Sequence, residues 1–395
     1  MKYVICVGDG MADFPILELD NRTPLEYADT VNMDHIASIG CVGRVKTIPD
    51  GLPAGSDVGN MSLLGYDATR YYNGRAPIEA VNMGIALCEN DIAFRCNLVT
   101  LENGLMNDYS AGHIETEDAA KLINELQSAL GTPDIRFYPG VSYRHILIIS
   151  GLPQGALACT PPHDISGKPW KEHLPHGAVA GRLLQFMERA HSVLLDSSVN
   201  KRRIADGKKP ATDIWLWGQG KSMRLPTMKE RFGLTGSVIS AVDLVQGLGV
   251  LSGLTVCKVE GATGYLDTNY AGKVAAAAAA LARQDFVFLH VEAPDETSHE
   301  GSLQKKIRAI EDFDKNIVGE MLKIAGEIKD LRIMVLPDHA TPVSLKTHHA
   351  FPVPFTACGP GIKSDGGTSY SEKAAADKTP MAAETLFTSF IKGIL

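Results

Sequence analysis

Residues 286–291 read Phe-Val-Phe-Leu-His-Val and run into an acidic segment that reaches Asp295. Two similar apolar runs end at Asp9 and at the pair Asp338-His339. Uninterrupted apolar runs of this length are typical of strands that are buried on both faces of a parallel sheet. Because ligands collect beyond the carboxyl ends of such strands, the three runs predict a functional site at one edge of a buried sheet.

These runs belong to an alternation of strand and helix patterns. Residues 273–283, which contain six consecutive alanines, predict a helix before the strand at 286–291. Apolar residues at spacings of three and four then predict one amphipathic helix between Ile307 and Ile328, ahead of a strand at 333–336. This βαβ rhythm predicts an α/β fold with a doubly wound, mainly parallel sheet.

The length of 395 residues is enough for two domains. The middle of the chain has strand and helix patterns of its own, for example at 144–149 and 116–130. We therefore predict a core domain formed by residues 1–84 and 255–395, and a smaller α/β domain formed by residues 85–254 that is inserted into it.

The composition excludes several classes of protein. With 45% hydrophobic and 21% charged residues, the chain is typical of a globular protein. Its net charge of −8 predicts no binding to nucleic acid or to a membrane surface, while local cations can still bind a small anionic substrate. The seven cysteines include no Cys-x-x-Cys pair and are expected to stay reduced. Reduced cysteines are typical of a cytoplasmic protein, which we therefore predict. No apolar run approaches the roughly 18 residues that span a bilayer. The expected partner is a small-molecule substrate, and the oligomeric state is left open.

Acidic residues and histidines gather beyond the predicted core strands. Asp295 and His299 are four residues apart, so one helical turn can bring both to one ion. Taken alone, such a pair is more often a helix cap or a surface pair. Asp338 and His339 are adjacent and point apart, so they can serve two neighbouring ions from one strand end.

A third group of candidate ligands lies in the loop that contains His348 and His349. Either histidine can complete a site, and the local pattern does not choose between them. Oxygen and nitrogen donors of this kind bind divalent metals. The set predicted to bind one or two ions is Asp9, Asp295, His299, Asp338, His339 and His348.

Ser56 lies in the segment Pro53-Ala54-Gly55-Ser56-Asp57-Val58-Gly59-Asn60, ahead of a predicted helix that begins at Asp57 and ends at Leu64. A helix N-terminus favours an anion, which suits a nucleophilic serine. A serine at this place is also a common N-cap. The local sequence supports both interpretations equally.

The predicted inserted domain carries polar side chains in loop contexts. Each of them alone is more often a solvated surface group, but their occurrence within one domain favours anion binding. The candidates for substrate binding are His113, Arg144, Asp164 and Arg203.

Several short motifs together resemble a known enzyme family. The chain resembles the metal-binding core of the alkaline phosphatase superfamily at Gly8-Asp9-Gly10-Met11, at Gly55–Asn60, at Asp295 with His299, at Asp338-His339 and at Lys346-Thr347-His348. It resembles the archaeal-type, cofactor-independent phosphoglycerate mutases at residues 73–80, 161–167, 213–218 and 261–268. The resemblance covers nearly the whole chain.

The resemblance implies roles for these residues. Ser56 would be the nucleophile that becomes a phosphoserine. One divalent metal would be held by Asp9, Ser56, Asp338 and His339, and the other by Asp295, His299 and His348. Mn²⁺ is the expected metal, with Zn²⁺, Co²⁺ and Mg²⁺ as alternatives, and 2,3-bisphosphoglycerate would not be required. A lysine that the longer bacterial enzymes place near the metals has no clear counterpart in residues 261–268.

The implied activity is the interconversion of 3-phosphoglycerate and 2-phosphoglycerate in glycolysis and gluconeogenesis. The same core would also suit a homoserine kinase, although the chain has no Gly-x-x-x-x-Gly-Lys-Ser/Thr phosphate loop. A metal-dependent phosphatase or phosphodiesterase would share the core without needing the insert. A non-enzymatic binding protein is disfavoured because every expected ligand position is filled.

Overall fold

The computed structural model of the chain describes residues 1–152 and 157–395. They form two compact units. Unit 1 comprises Met1–Tyr72 and Arg224–Leu395, and unit 2 comprises Asn73–Met223. None of the helices in these residues is both long and apolar enough to cross a membrane.

The secondary structure elements are labelled in chain order. The strands are β1 (Lys2–Gly8), β2 (Cys41–Lys46), β3 (Asp91–Glu102), β4 (Leu105–Asp108), β5 (Ile135–Tyr138), β6 (Arg144–Ser150), β7 (Leu157–Ala158), β8 (His176–Gly177), β9 (Asp213–Lys221), β10 (Gly236–Ile239), β11 (Thr255–Val256), β12 (Phe286–Val291), β13 (Leu331–Leu336), β14 (Val353–Cys358) and β15 (Met381–Ala382). The α-helices are α1 (Pro24–Tyr27), α2 (Val31–Ile39), α3 (Ser56–Leu63), α4 (Ala68–Tyr71), α5 (Ala76–Asn82), α6 (Thr116–Leu130), α7 (Ala180–Asp196), α8 (Ser198–Ala205), α9 (Met228–Phe232), α10 (Asp243–Leu251), α11 (Tyr270–Leu281), α12 (Ala293–His299), α13 (Leu303–Phe313), α14 (Gly319–Glu327) and α15 (Ala383–Lys392). Short 3₁₀ turns lie at Leu17–Leu19, Pro162–Ile165 and Lys171–His173.

The domain boundaries differ from the predicted ones at both ends of the insert. Helix α5 lies in unit 2, where Ala76 and Ala80 pack in one buried cluster with Ala93 and Ile148. Strand β10 lies in unit 1, because it pairs with β12 in the large sheet. Packing and strand pairing between distant segments therefore move the boundaries away from residues 84 and 254.

Eight of the described strands form the sheet of unit 1, in the order β11-β10-β12-β1-β13-β14-β2-β15. The predicted parallel core is confirmed: β1 lies between β12 and β13 and is parallel to both. Strand β14 runs antiparallel to its two neighbours. The register places Gly8 opposite Val291 and Val7 opposite Leu336, so the carboxyl ends of these three strands meet at one edge.

The three central strands are buried along nearly their whole length, as their apolar sequences predict. Every residue of β12 and β13 is buried. Alternate side chains of these strands, such as Leu289 and Val335, belong to one core cluster with Phe313 of α13, and all three have no exposed surface. Burying one such side chain stabilises the fold by roughly 1.5–3 kcal/mol. The core therefore supplies a rigid edge on which polar residues can be held.

The helix predicted between Ile307 and Ile328 is interrupted. A π-helical turn at Asp314–Val318 separates α13 from α14. The carboxylate of Asp314 is buried and accepts hydrogen bonds from the backbone of Met33 and the side chain of Asn32, both at 2.7 Å. Asp314 is the first residue of the π-helical turn, and its bonds reach a segment about 280 positions away in the chain. The spacing of apolar residues within the helix gives no sign of such long-range bonds. The prediction of one uninterrupted α-helix is wrong at this turn.

Unit 2 contains its own antiparallel sheet, in the order β4-β3-β6-β5, and β9 also pairs with β3. Helices α6 and α7 pack beside it on a core that includes the fully buried Trp215. The helix predicted at 116–130 is α6, and the strand predicted at 144–149 lies within β6. Unit 2 is therefore an α/β unit with its own hydrophobic core.

Candidate metal centre

Acidic residues from three chain segments come together at the carboxyl edge of the large sheet. The amide of Gly10 donates to Asp338 Oδ1 at 3.2 Å. A Cβ added to Gly10 would lie only 2.5 Å from Asp295 Oδ1, and Gly10 has a positive φ of 61°. Both constraints favour glycine directly after Asp9. The turn after β1 therefore packs tightly against the other two acidic residues.

The first cluster of potential metal ligands consists of Asp9, Asp338 and His339, whose ligand atoms all lie within 4.8 Å of one another. Asp9 Oδ1 is 3.3 Å from His339 Nε2. Asp338 is held in place by bonds to its two oxygens: the His339 amide donates to Oδ1 at 3.0 Å, and Asn60 Nδ2 donates to Oδ2 at 2.6 Å. All three residues are buried.

The electrostatics of this cluster favour a cation. Burial and the neighbouring Asp338 carboxylate raise the pKa of Asp9 well above its usual value. Asp9 Oδ1 is buried and has no hydrogen-bond partner among the described residues. A buried acceptor without a partner costs about 1–3 kcal/mol. A divalent cation at this point would relieve both the repulsion and the missing contact.

The hydrogen bonds of Thr341 select the tautomer of His339. The Thr341 hydroxyl donates to Asp295 Oδ1, which as a carboxylate can only accept. Thr341 Oγ1 therefore accepts from His339 Nδ1, 3.2 Å away. Burial lowers the pKa of His339, which favours its neutral form. The Nε2 lone pair of His339 is thus left to face Asp9, as in a metal-ligating histidine.

The second cluster consists of Asp295, His299 and His348. Asp295 Oδ2 lies 3.1 Å from His299 Nε2, and the Nε2 atoms of His299 and His348 are 3.1 Å apart. His299 Nδ1 donates to the carbonyl of Lys346 at 2.9 Å, so Nε2 carries the lone pair when the ring is neutral. Burial would lower the pKa of His299, but the Asp295 carboxylate outweighs it and raises the pKa to about 9. A metal would replace the proton that this pair otherwise holds.

The adjacent histidine, His349, lies outside both clusters. Its ring packs against Phe14 and Phe351, with centroid separations of 5.3 and 5.5 Å. Its Nδ1 accepts from the amide of Phe351 at 3.2 Å. The rings of His348 and His339, by contrast, are 4.3 Å apart. The fold therefore brings His348, and not His349, to the candidate centre.

Ser56 is the first residue of α3 rather than its cap. The N-cap position belongs to Gly55, and no side-chain hydrogen bond caps this helix. Ser56 Oγ instead lies 3.1 Å from His339 Nε2. A Cβ on Gly59 would lie 2.6 Å from the Asp338 carbonyl oxygen, so a glycine there lets α3 approach this closely. The plain N-cap interpretation of Ser56 is therefore wrong.

The donor sets suit divalent metals. Each cluster offers carboxylate oxygen and imidazole nitrogen, the mixture that Mn²⁺, Zn²⁺ and Co²⁺ accept. Two further observations agree with this. Asp9 Oδ1 has no hydrogen-bond partner among the described residues, and the hydrogen bonds at Nδ1 of His299 and His339 leave a lone pair on Nε2 of each neutral ring. On the residues present, the centre fits a divalent metal.

In unit 2, several of the predicted polar residues lie around two tyrosines. The rings of His113 and His163 are each 6.4 Å from that of Tyr109, and His163 precedes the exposed Asp164. The guanidinium of the exposed Arg144 lies 5.6 Å from the ring of Tyr143, which itself contacts Tyr109 at 5.7 Å. Two of the four candidates, His113 and Arg144, thus lie beside these tyrosines, and Asp164 follows a third neighbour, His163, in the chain.

The backbone that carries His113 is unusual. Ala111, Gly112 and His113 have φ values of 51°, 69° and 51°, which are strained for the two non-glycine residues. Ser110 Oγ lies 3.1 Å from His113 Nδ1 and helps to hold the exposed ring. A strained loop that presents a held histidine favours a functional role.

Arg203 does not join this group. Its side chain is only 2% exposed and donates to Glu115 at 2.6 Å and to the carbonyls of Ala111 and Lys209. These bonds use the guanidinium to hold the loop that precedes His113. The role of Arg203 in substrate binding stays a prediction, although its donors bond within the fold in this structure.

Two other arginines of unit 2 are missing from the predicted set. Arg75 and Arg95 both donate to Glu79 Oε1, at 2.8 and 2.6 Å. Burial would raise the pKa of Glu79, but Arg95, Arg75 and Arg144 outweigh it and lower the pKa. Arg95 Nε is buried without a hydrogen-bond partner among the described residues. Three arginines therefore gather around one carboxylate, and a cationic neighbourhood of this kind suits an anion.

Sequence reasoning also missed residues that support the metal clusters. Asn60 could have been found, because it follows Ser56 by four residues and so lies on the same face of α3. Thr341 gave no such signal, since its contact with Asp295 is long-range. Lys273, just after the 261–268 segment, is buried and donates to the carbonyl of His290 at 2.9 Å. Burial lowers the pKa of Lys273 to about 8.

Comparisons with known proteins point to one family. A family model described as 2,3-bisphosphoglycerate-independent phosphoglycerate mutase matches residues 37–200. A Methanosarcina barkeri protein named 2,3-bisphosphoglycerate-independent phosphoglycerate mutase is 52% identical over 377 residues, 95% of each chain. A Geobacter sulfurreducens protein, named as a probable enzyme of the same kind, is 50% identical over 380 residues, again 95% of each chain.

Solved structures resemble the chain over almost its whole length. The PH0037 protein from Pyrococcus horikoshii superimposes with a TM-score of 0.82 at 30% identity, covering 99% of this chain and 97% of that one. A structure described as cofactor-independent phosphoglycerate mutase from Thermoplasma acidophilum has a TM-score of 0.65 at 26% identity, with both chains fully covered.

Proposed function

The chain belongs to the family of 2,3-bisphosphoglycerate-independent phosphoglycerate mutases, and from this membership we propose that it interconverts 3-phosphoglycerate and 2-phosphoglycerate. The reaction would serve glycolysis and gluconeogenesis. It would pass through a phosphoserine at Ser56. The observation that carries the proposal is the contact of Ser56 Oγ with His339 Nε2, inside a cluster of metal-type ligands.

We assign two divalent metals to the two ligand clusters, with Mn²⁺ as the expected ion. One would be held by Asp9, Ser56, Asp338 and His339, and the other by Asp295, His299 and His348. When bound, such ions lower the pKa of a serine hydroxyl and stabilise charge on a transferring phosphoryl group. Attack on phosphorus and retention of glycerate are assigned to side chains of the protein.

The proposed transfer has two matched halves. First, Ser56 Oγ attacks phosphorus, and the Oγ–P bond forms as the bond from phosphorus to O3 of 3-phosphoglycerate breaks. The proton that leaves Ser56 Oγ balances the one that O3 of glycerate takes up. Then O2 of glycerate attacks phosphorus, and the O2–P bond forms as the Oγ–P bond breaks. The proton that leaves O2 balances the one that Ser56 Oγ takes up, which restores the hydroxyl. Water must be excluded meanwhile, or the phosphoserine hydrolyses and the enzyme acts as a phosphatase.

Unit 2 supplies the groups that we propose for retaining glycerate. The carboxylate of glycerate needs cationic partners, for which we propose the exposed Arg144 and the partly exposed Arg75. Arg95 is buried against Glu79 and would add positive charge without touching the substrate. His113 and Asp164 are the exposed titratable candidates for moving protons at O2 and O3. The grouping of arginines around Glu79 supports this assignment.

The test is an assay of purified protein loaded with Mn²⁺. One sample receives 3-phosphoglycerate without 2,3-bisphosphoglycerate, and phosphorus NMR follows the products. A parallel sample receives homoserine and ATP. We expect 2-phosphoglycerate in the first sample and no ADP in the second, and we expect EDTA to remove the activity.

Other products would identify the rival activities. Glycerate and inorganic phosphate as the sole products would identify a phosphatase. ADP formed only when homoserine is present would identify a kinase. Either result would overturn the proposed function while leaving the metal centre to be tested separately.

A further inference from the structure

A histidine that belongs to neither ligand cluster lies against the first one. His290 is the fifth residue of β12 and is fully buried. Its Nε2 lies 3.1 Å from Asp9 Oδ2 and has no hydrogen bond within residues 1–152 and 157–395. The distance itself lies within the range of an N–H···O hydrogen bond. A buried imidazole nitrogen in this position calls for an explanation.

The other ring nitrogen is held by Ser240, which follows β10 directly. The register pairs Ile239 with Leu289, so Ser240 lies beside His290. Ser240 Oγ accepts from the amide of Val242 at 3.0 Å and lies 3.2 Å from His290 Nδ1. Since one lone pair of the hydroxyl is taken by this amide, its proton is free to be donated to Nδ1. That arrangement puts the ring proton on Nε2, facing Asp9.

The two oxygens of Asp9 have different surroundings. Oδ1 faces His339 Nε2 at 3.3 Å and has no hydrogen-bond partner in the described chain, whereas Oδ2 faces His290. The described donors that lie within 4.8 Å of one another include Asp9 and His339 but not His290. His290 is therefore placed to hold a ligand rather than to be one.

We propose that His290 is a positioning residue of the metal centre: its Nε2–H donates to Asp9 Oδ2 and leaves Oδ1 as the oxygen that binds a divalent cation. Ser240 selects the tautomer that makes this donation. Outer groups of this kind orient a ligating carboxylate and tune its affinity for the metal. The inference rests on the metal centre of the proposed function, but not on the mutase reaction, because cation binding is its readout.

The test measures Mn²⁺ binding to the folded protein by the electron paramagnetic resonance signal of free Mn²⁺. The background is His299→Ala, which removes a ligand of the other cluster and leaves one site to titrate. Two replacements of His290 are compared. His290→Leu keeps an apolar side chain of similar reach without a donor, whereas His290→Gln keeps an N–H near the position of Nε2.

We expect His290→Leu to raise the Kd for Mn²⁺ about 10- to 100-fold. His290→Gln should recover most of that loss. The proposal is overturned if His290→Leu binds Mn²⁺ as tightly as the background protein. It is equally overturned if His290→Gln binds as weakly as His290→Leu, because the N–H would then make no difference.

Ser240→Ala provides a second test that keeps His290 in place. If His290→Leu does not fold, this variant alone tests whether His290 positions Asp9. It should weaken Mn²⁺ binding several-fold, and an unchanged Kd would contradict the proposed tautomer selection. The matched control is Ser237→Ala on β10: Ser237 is also buried, but it bonds to Gln284 instead of facing the centre. That variant should bind Mn²⁺ as the background does.

Discussion

Ser56 Oγ lies 3.1 Å from His339 Nε2, although Ser56 occupies the start of a helix, where serine hydroxyls usually bond to backbone amides. The hydroxyl is free for this contact because Gly55 takes the N-cap position. His339 presents an unprotonated nitrogen because Thr341 accepts from its other ring nitrogen. A hydroxyl beside metal-type ligands is suited to act as a nucleophile.

Ser56→Ala should therefore abolish the mutase activity and leave the fold intact. The residual rate should be below about 10⁻³ of the parent rate, since the variant has no oxygen to accept the phosphoryl group. Mass spectrometry of acid-quenched parent protein should find phosphate on the peptide that contains Ser56. Ser62→Ala, which changes a buried serine on the same helix, is the control and should remain active. A variant of Ser56 that retains several per cent of activity would refute this role.

The two adjacent histidines should behave differently when changed. His348→Ala should lose about one equivalent of bound Mn²⁺, because His348 lies with Asp295 and His299. His349→Ala should keep both equivalents and lose some stability through its contacts with Phe14 and Phe351. Metal analysis of the two purified proteins decides this. A reversed pattern would mean that the loop binds the metal in a different register.

Removing a carboxylate from each cluster should also separate the two sites. Asp295→Asn and Asp338→Asn should each lose one equivalent of metal, because a neutral amide weakens both the charge and the geometry at the ion. Circular dichroism should report intact secondary structure in both variants. Full metal content in either variant would remove that residue from the proposed ligands.

Arg144 and Arg203 provide a matched pair in unit 2, one exposed and one buried. Arg144→Ala should lower the mutase rate about ten- to a hundredfold, since one charge-assisted hydrogen bond is worth roughly 1.5–3 kcal/mol. Hydrolysis of p-nitrophenyl phosphate, which needs no retained glycerate, should fall much less. If the two rates fell in parallel, the case for Arg144 as a substrate ligand would be lost.

Arg203→Ala should act mainly on stability. Its guanidinium bonds to Glu115 and to two backbone carbonyls, so its loss should lower the free energy of unfolding by about 2–4 kcal/mol. Denaturant unfolding of both arginine variants tests the contrast. An Arg203→Ala protein of parental stability but low mutase activity would instead support the prediction of Arg203 as a substrate ligand.

Glu372 makes the stability dependent on pH. Burial raises its pKa from 4.5 to about 7. The folded protein therefore holds a proton that the unfolded chain has released, and the free energy of unfolding falls as the pH rises from about 4.5 to about 7. Glu372→Gln should remove this fall and stabilise the protein by about 1–3 kcal/mol at pH 8, with little effect at pH 4.

The amide of Gln can replace both contacts of Glu372, accepting from the backbone of Asp13 and donating to the Thr23 hydroxyl. Denaturant unfolding at both pH values gives the difference between variant and parent. Glu384→Gln, at an exposed position of α15, is the control and should show no pH-dependent gain. An equal gain at both pH values would exclude titration of Glu372 as the cause.

The amino-acid sequence alone determined the central architecture and the types of ligand. Apolar runs such as residues 286–291 are local properties, and a run that is buried on both faces suits a parallel strand wherever it pairs. The helix at 116–130 was likewise predicted from helical spacing within its own segment. The meeting of the acidic residues that follow these runs was predicted from the same patterns, because the carboxyl ends of parallel strands lie at a common edge of the sheet.

Only the tertiary structure decided which side chains meet. His348 and His349 are equivalent in the local sequence, and their separation into a ligand cluster and an aromatic contact depends on Phe14, more than 300 residues away in the chain. Arg203 is of a residue type that often binds anions, but in the fold its guanidinium is buried and bonds to Glu115. The physical reason is the same in each case: burial and hydrogen-bond pairing are set by distances between segments that no local pattern contains.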